Sequence, residues 1–411
     1  MTRNKIYLFF IATYFAQGMV GIAYEPIYFL QKEGLGLSVS QSAVFTAWMT
    51  MPFLLKPLLG LWTDAFPIAG RRRVPYLTGA AAATAVGWAV LAFLGDYRYA
   101  PTLILLTFVN VGICFSDVLC DGVMVEHGKE QNKTGKFQAV QIGTLYLTLL
   151  VTGVGGGWLA QHASYGAVFA LTALFPLLIL VSARAVPDKS IPITRPQARL
   201  LAAGLWELLR TRSFWASCLL ILLFNFSPFK GTAWFYYQVD HLGFSKVFIG
   251  TLVSIGGVAG VAGAGFFWRF YNKTLTLFGR RITLDTAGVL RISVAAGAPL
   301  TLLYLAYRGP ATAVLLTAFF GMAGVVMRLG LMDLAARACP RHAEATVFAI
   351  FMSVFNLAAW SSNLAGAKLY ESLAAGSGGA YGAMALLIVI GAASIAACWP
   401  LLGPAGARRA A

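Results

Sequence analysis

Six charged residues stand inside long apolar stretches of this chain: Glu25, Lys56, Asp117, Asp121, Lys230 and Arg328. An ion at the centre of a lone membrane helix costs about 2.5–3.5 kcal/mol, so such groups turn inward and are kept for use. Their types suit binding and proton exchange rather than bond-making. Asp117 and Asp121 are four apart, which places both carboxyls on one helical face. Two acids so close in a low dielectric cannot both stay ionised cheaply, an arrangement that suits proton coupling. The plainer account is that Asp121, near the end of its run, pairs only with loop bases such as Arg71 or Arg72. Lys56, Lys230, Arg328, Glu25 and Asp117 could serve both a solute and a gate. Asn110 and Trp234 join these five as expected substrate contacts; Asp117, Asp121 and Glu25 are the expected proton carriers. Prolines accompany the charges, in Glu25-Pro26 and Pro228-Phe229-Lys230, and each removes a backbone donor so that its helix can kink. Arg291 reads as a partner for Asp285 or a snorkelling group.

The elements holding these residues must cross lipid. Apolar residues make up 59% of the 411 and charged residues only 11%, against roughly 25% charged in soluble proteins. Twelve apolar runs reach the length of about 20 residues that spanning requires: 5–30, 40–63, 75–95, 101–126, 135–160, 164–185, 213–239, 246–270, 281–306, 311–335, 343–370 and 379–402. They are continuous rather than alternating, which predicts helices and an all-α membrane protein. The first run lacks a cleavage signature, so no removable signal peptide is expected.

The net charge of +16 could point to nucleic acid, but its placement points to topology. With the N-terminus inside, 22 of the 31 Lys and Arg fall on the inner side, five on the outer side and four within spans. That asymmetry predicts both termini in the cytoplasm and leaves no basic folded surface for nucleic acid. The five cysteines stand at no metal-ligand spacing, and no Gly-Lys-Ser/Thr phosphate loop follows a strand, so neither a metal, a cofactor nor ATP hydrolysis is expected.

The chain also repeats itself. Residues 28–38 match 235–245 at a shift of 207, aligning Gln31 with Gln238, Glu33 with Asp240 and Ser38 with Ser245. Gly70-Arg71-Arg72 matches Gly279-Arg280-Arg281 at 209, Phe137 matches Phe348 at 211 and Asp121 matches Asp333 at 212. Two parallel six-helix bundles are expected, over residues 1–185 and 213–411, joined by a proline-bearing cytoplasmic linker at 186–212. The shift also sets Arg328 beside the mirror position of Asp117, so that base and acid could attract across a closing cavity. Glycine runs at 153–157 and 256–263 suit close helix approach, static or sliding.

The segment from Lys56-Pro57 through Gly60 and Asp64 to Gly70-Arg71-Arg72-Arg73-Val74-Pro75-Tyr76 resembles the second-to-third-helix loop of major facilitator transporters, and within them the folate-biopterin transporter family. Phe115 to Glu126 is similar to the fourth helix of that family, and Ala335–Pro340 with Glu344–Ala349 and Asn356 to its eleventh-helix entry. Thr63 before the acid and Gly122 after Asp121 depart from the family pattern without altering charge. The resemblance implies the major facilitator fold with a central cavity lined by helices that carry all six charges. It implies a gate made of Gly60, Asp64, Gly70, Arg71, Arg72 and Arg73, joined by Asp333 as the mirror of Asp121. It further implies a proton-coupled secondary transporter, not an enzyme, for a small folate or pterin solute. Such a protein is expected as a monomer in a bacterial plasma membrane, with lipid, protons and solute as its partners. A muropeptide or other metabolite transporter, or a transporter-like receptor that moves nothing, is the alternative.

Overall fold

The computed structural model describes residues 3–130, 134–184, 206–271, 273–277, 280–339, 344–376 and 378–406. Among them, eleven helical stretches are long and apolar enough to cross a membrane, from Ile6–Gly34 to Gly379–Ala405. The expected seventh span is broken. Arg212–Asn225 is helical, Phe226 is extended, and the helix resumes only at Thr232–Tyr236. We keep the ordinal numbering of the twelve runs below. Most of the linker, Gly279 of the second basic loop and the side chain of Asp64 lie outside the described residues. One feature departs from an all-helical reading: the loop after the eighth span forms a short antiparallel hairpin, Thr274–Leu277 with Arg280–Thr283.

Proline accounts for the breaks in the first two spans. Without an N–H, Pro26 cannot bond the carbonyl of Ile22, and the helix tightens to a 3-10 turn over Gly21–Ala23 just before it. Gly156 of the fifth span lies against that carbonyl; a Cβ there would stand 3.0 Å from the Ile22 oxygen. In the second span Pro52 stands in the first positions of a 3-10 turn over Met51–Leu55, and Lys56 and Pro57 open the next helix.

The duplication is visible in backbone detail. Leu30–Gly34 and Tyr237–His241 each widen into a π-turn. Gly36 (φ 63°) and Gly243 (φ 65°) then reverse the chain in the left-handed region. Ser38 and Ser245 cap the helices that follow, accepting from Gln41 N and Phe248 N.

Among the described residues, two of the seams between N-terminal and C-terminal spans show why they lie so close. In one, the fifth and eighth spans touch backbone to backbone: a Cβ on Gly250 would lie 2.2 Å from the Gly153 oxygen, and one on Gly157 2.5 Å from Lys246 O. Ser254 Oγ donates into the Leu149–Leu150 carbonyls and accepts from Val154 N at 2.9 Å. The glycine runs therefore serve close packing. In the other, the eleventh span crosses the second: Asn356 Nδ2 donates to Phe53 O (3.1 Å) and Trp360 Nε1 to Ala47 O (3.0 Å). Phe53 O is the carbonyl that Pro57 leaves without its helical partner.

Candidate functional site

The first centre is a buried cluster shared by the first, second and fourth spans. Lys56 Nζ donates to Asp117 Oδ2, in an ion pair whose side chains are only 9% and 17% exposed. The hydroxyl of Tyr14 lies 2.9 Å from Asp121 Oδ1 and 3.3 Å from Asp117 Oδ1. The helical spacing of the two acids thus brings both carboxyls onto one phenol. A tyrosine has a single hydroxyl proton, so it can donate to only one of them. A proton on the other carboxyl would turn the second contact into a donation and complete the chain. Beside this cluster a pocket of about 30 Å³ is lined by Lys56, Gly60, Arg73, Asp121, Thr346 and Met352, among others. That volume holds a water or two.

The second centre is the break in the seventh span. Between Phe226 and Gly231 the backbone leaves the helix, and exposed amides at membrane depth need partners. The eleventh span supplies them: Ser362 Oγ accepts from Ser227 N (3.0 Å) and Asn363 Oδ1 from Thr232 N (2.8 Å). Gly231 turns at φ 77°, and a Cβ there would lie 2.4 Å from Asn363 Oδ1. Gly366 sits directly on the Pro228 carbonyl, where a Cβ would stand 1.8 Å from the oxygen. The break opens onto a cavity of about 440 Å³ lined by Lys230 and Arg328, with Phe229, Tyr304, Phe320 and Asn225 in its wall. Lys230 Nζ lies 5.6 Å and 5.8 Å from the ring centroids of Phe229 and Tyr304. Among the described residues neither cation has a carboxylate within ion-pair distance. A second cavity of about 360 Å³, reaching Tyr28, Thr46 and Thr50, shares Gly231, Asn356, Ala359 and Asn363 with the first. Both volumes lie in the range of small-molecule sites.

The expected site residues therefore divide. Lys56, Asp117 and Asp121 form the cluster, while Lys230 and Arg328 face the large cavity. Asp117 pairs with Lys56 from its own set of spans, not with Arg328 across the cavity. Glu25 lines neither cavity, and its buried Oε2 has no hydrogen-bond partner. Asn110 donates to Leu106 O of its own helix (2.8 Å), and Trp234 stands behind the cavity wall, its ring 4.4 Å from Tyr307 and 5.5 Å from Tyr304. Of the expected gate residues, Gly60 and Arg73 line the small pocket, Gly70 makes a left-handed turn (φ 72°), and Arg71 bridges back to Ile68. Arg72 lies in the same loop and is half-buried. Asp333 accepts from Tyr271, Thr286 and Arg337 (Nε at 2.9 Å), so each acid of the mirror pair Asp121 and Asp333 takes a tyrosine hydroxyl. Asp285 caps its helix at Gly288 N (2.8 Å). Gly122 has a local reason as well: a Cβ there would press 3.0 Å from the Arg73 guanidinium carbon.

Several participants went unnoticed in the sequence. Tyr14 carried no charge to flag it, and Ser362 and Asn363 look like ordinary polar residues of a helix. At the end opposite the Arg71–Arg73 loop, Lys32 pairs with Asp240 (2.7 Å) and Lys246 with Glu33. Glu33 and Asp240 are the repeat-related acids, and each holds a lysine from the other set of spans. Ser40 N donates to Glu371 (2.9 Å), and Tyr236 and Ser42 share a 2.8 Å bond in the same closure.

Two sets of membrane helices meeting over buried charges define an integral membrane protein with the major facilitator fold. A crystal structure of a D-xylose-proton symporter superposes with a TM-score of 0.65 over 95% of each chain at 16% identity. A profile of the BT1 family matches residues 17–404, and the chain belongs to that family. Its relatives include a folate-biopterin transporter of Synechocystis, 30% identical over 96% of this chain and 81% of the relative. Folate transporter 2 of Plasmodium falciparum is 28% identical over 83% of this chain and 75% of its own length. A probable folate-biopterin transporter 4 of Arabidopsis thaliana is 25% identical over 89% of this chain and 88% of the relative.

Proposed function

We propose that this protein is a proton-coupled secondary transporter that moves a folate- or pterin-type solute by alternating access, without catalysing a covalent step. Two halves, 1–185 and 213–411, rock about the central cavities, and the molecule works as a monomer in a bacterial plasma membrane with the Arg71–Arg73 loop on the cytoplasmic side. The observation that carries the coupling is the Tyr14 phenol between two carboxyls (2.9 and 3.3 Å), with Lys56 on the far oxygen of Asp117. With one proton shared by the two acids, Lys56, Asp117 and Asp121 together carry no net charge, and the buried Arg73 guanidinium stands at the same small pocket. Losing that proton leaves an excess negative charge in low dielectric, which a conformational change that admits water relieves. The pocket of about 30 Å³ beside Asp121 offers such water a place. In this reading Gly60, Asp64, Gly70, Arg71–Arg73 and Asp333 gate the cytoplasmic end, and Lys230 and Arg328 meet the solute.

The substrate assignment rests on family membership and on the names of its relatives. The test is uptake by the purified protein in liposomes of radiolabelled folates, pterins, muropeptides and amino acids, with and without an acid-outside gradient. A pterin or folate should accumulate only with the gradient, and Tyr14→Phe should lower accumulation at least tenfold while equal-pH exchange persists. Accumulation by Tyr14→Phe at the wild-type level overturns the proton assignment; transport confined to muropeptides or amino acids overturns the substrate.

A further inference from the structure

We propose that Glu25 is a second proton-binding site, separate from the Asp117–Asp121 pair, so that each solute crosses with two protons. This deepens the transporter reading and rests on it. The first support is how Glu25 is left in the packed protein. Its Oε2 is buried and has no hydrogen-bond partner among the described residues. A buried carboxyl kept only for architecture is hydrogen-bonded, as Asp285 is to Gly288 N. An ionised carboxylate left without a partner would be a bare charge in low dielectric, and a proton removes that charge. No neighbouring cation does so in its place. The fifth span lies against Glu25 at Gly156, where a Cβ would stand 3.8 Å from the Glu25 Cβ, and it carries no titratable residue between Tyr146 and His162. On its own helix Glu25 has only the phenols of Tyr24 and Tyr28 beside it. Of the cations on the surrounding spans, Lys246 holds Glu33, Lys32 holds Asp240 and Lys56 holds Asp117. Lys230 and Arg328 face the large cavity, which Glu25 does not line.

Depth is the second support. Glu25 lies 11 positions beyond Tyr14 on the first span, about 16 Å at the helical rise, so it does not share the proton of the Asp117–Asp121 pair. The third is access. Gly157, next to the glycine that faces Glu25, touches the eighth span: a Cβ there would stand 2.5 Å from Lys246 O. Lys246 is the residue that pairs with Glu33 in the closure opposite the Arg71–Arg73 loop. Parting that closure pulls on the fifth span, which covers Glu25, and opens the acid to that side. With the closure made, Tyr24 beside it is 48% exposed, and Tyr28, three positions on, lines the second cavity. The carboxylate takes a proton from water when the closure parts and crosses neutral as the spans rock. It then returns the proton to water on the cavity side.

Proton binding is read without any solute, by infrared difference spectroscopy of the full-length protein in nanodiscs as base is added. Wild type should show a protonated-carboxyl stretch that disappears reversibly as pH rises; Glu25→Gln should lack it and Asp121→Asn should keep it. Glu25→Gln and Glu25→Met strand no partner, so both should melt at the wild-type temperature. Unfolding of both would show that the carboxyl has a structural partner and would overturn the proposal. Transport is then measured in liposomes with the membrane potential clamped at zero, where each coupled proton multiplies the equilibrium solute ratio about tenfold per pH unit of gradient. Across one pH unit, radiolabelled folate should accumulate about 100-fold in wild type and in Glu25→Asp, but about tenfold in Glu25→Gln. A missing carboxyl band, a band indifferent to pH, or undiminished accumulation by Glu25→Gln would each refute the second site. Accumulation of about tenfold in wild type and variant alike would keep the transporter reading and remove the second proton. A titrating band without folate accumulation would keep the proton site and sink the transporter reading.

Discussion

Removing Asp117 strands Lys56, and the structure sets the size of the effect. Surface ion pairs are worth about 0–1 kcal/mol, but these side chains are only 9% and 17% exposed. Breaking one partner of a buried pair costs about 3–5 kcal/mol, because the survivor is left charged and unpaired. Asp117→Asn and Lys56→Met should therefore each destabilise the protein by about 3 kcal/mol or more. The double variant removes both charges, needs no compensation, and should return to within about 1 kcal/mol of wild type. Stability would be read by denaturant titration in micelles, with transport assayed in parallel. The double variant should exchange solute at equal pH but accumulate it at least tenfold less under a pH gradient, since its proton site has lost one acid. A double variant as unstable as the worse single would show that the pair is not the local charge balance. Gradient-driven accumulation at the wild-type level would show that the pair has no part in coupling.

Three further outcomes follow from the packing. Lys32→Glu should loosen the closure opposite the Arg71–Arg73 loop, and adding Asp240→Lys should restore it. The partners are 20% and 53% exposed, so the change is about 0.2–1 kcal/mol and salt-sensitive; spin-label distances across that end would report it, and equal distances in all three proteins would exclude a latch. Gly250→Val should abolish folded protein or force the fifth and eighth spans apart, because even a Cβ would lie 2.2 Å from Gly153 O; wild-type melting and transport would contradict that packing. Asn356→Ala should free Phe53 O and cut gradient-driven accumulation severalfold while solute affinity changes less than about threefold; unaltered accumulation would remove Asn356 from the coupling path.

The fold was legible because lipid imposes long apolar runs and duplication leaves matched landmarks. Ser38 and Ser245, aligned from sequence, do occupy the same capping position after the same π-turn. The charges were legible for the same reason: an ion within an apolar run has few uses. What escaped was what pairs with what. The four-residue spacing of Asp117 and Asp121 placed two acids on one face, but nothing in it named Tyr14, which reaches them from another helix 103 positions away. Trp234 reads from the sequence as a substrate contact, yet its ring packs within the neighbouring aromatic cluster. Sequence distance hides such contacts, since they are fixed only when helices pack. The break in the seventh span was half visible: Pro228 marked a kink, but full unwinding needs acceptors on another helix, and Ser362 and Asn363 carry no mark of that duty.

Both breaks that hold a lysine are supported by one helix. At Pro57 the carbonyl of Phe53 loses its helical donor, and Asn356 supplies a replacement. At Pro228 the amides of Ser227 and Thr232 lose helical acceptors, and Ser362 and Asn363 replace them. All three side chains lie on the eleventh span, and all three line the large cavity. Unpaired backbone groups within a membrane cost several kcal/mol each. A rotation of this helix large enough to break one of these bonds displaces the others, unless water or solute takes their place. In the proposed cycle, solute entering the cavity and water entering at the Lys56 end would act on one mechanical element. That is a physical reason for Lys56 to stand matched at one break while Lys230 has no carboxylate within ion-pair distance among the described residues at the other. The two centres are chemically separate, and the helix that bonds to both breaks is the element through which the proposed cycle would link them.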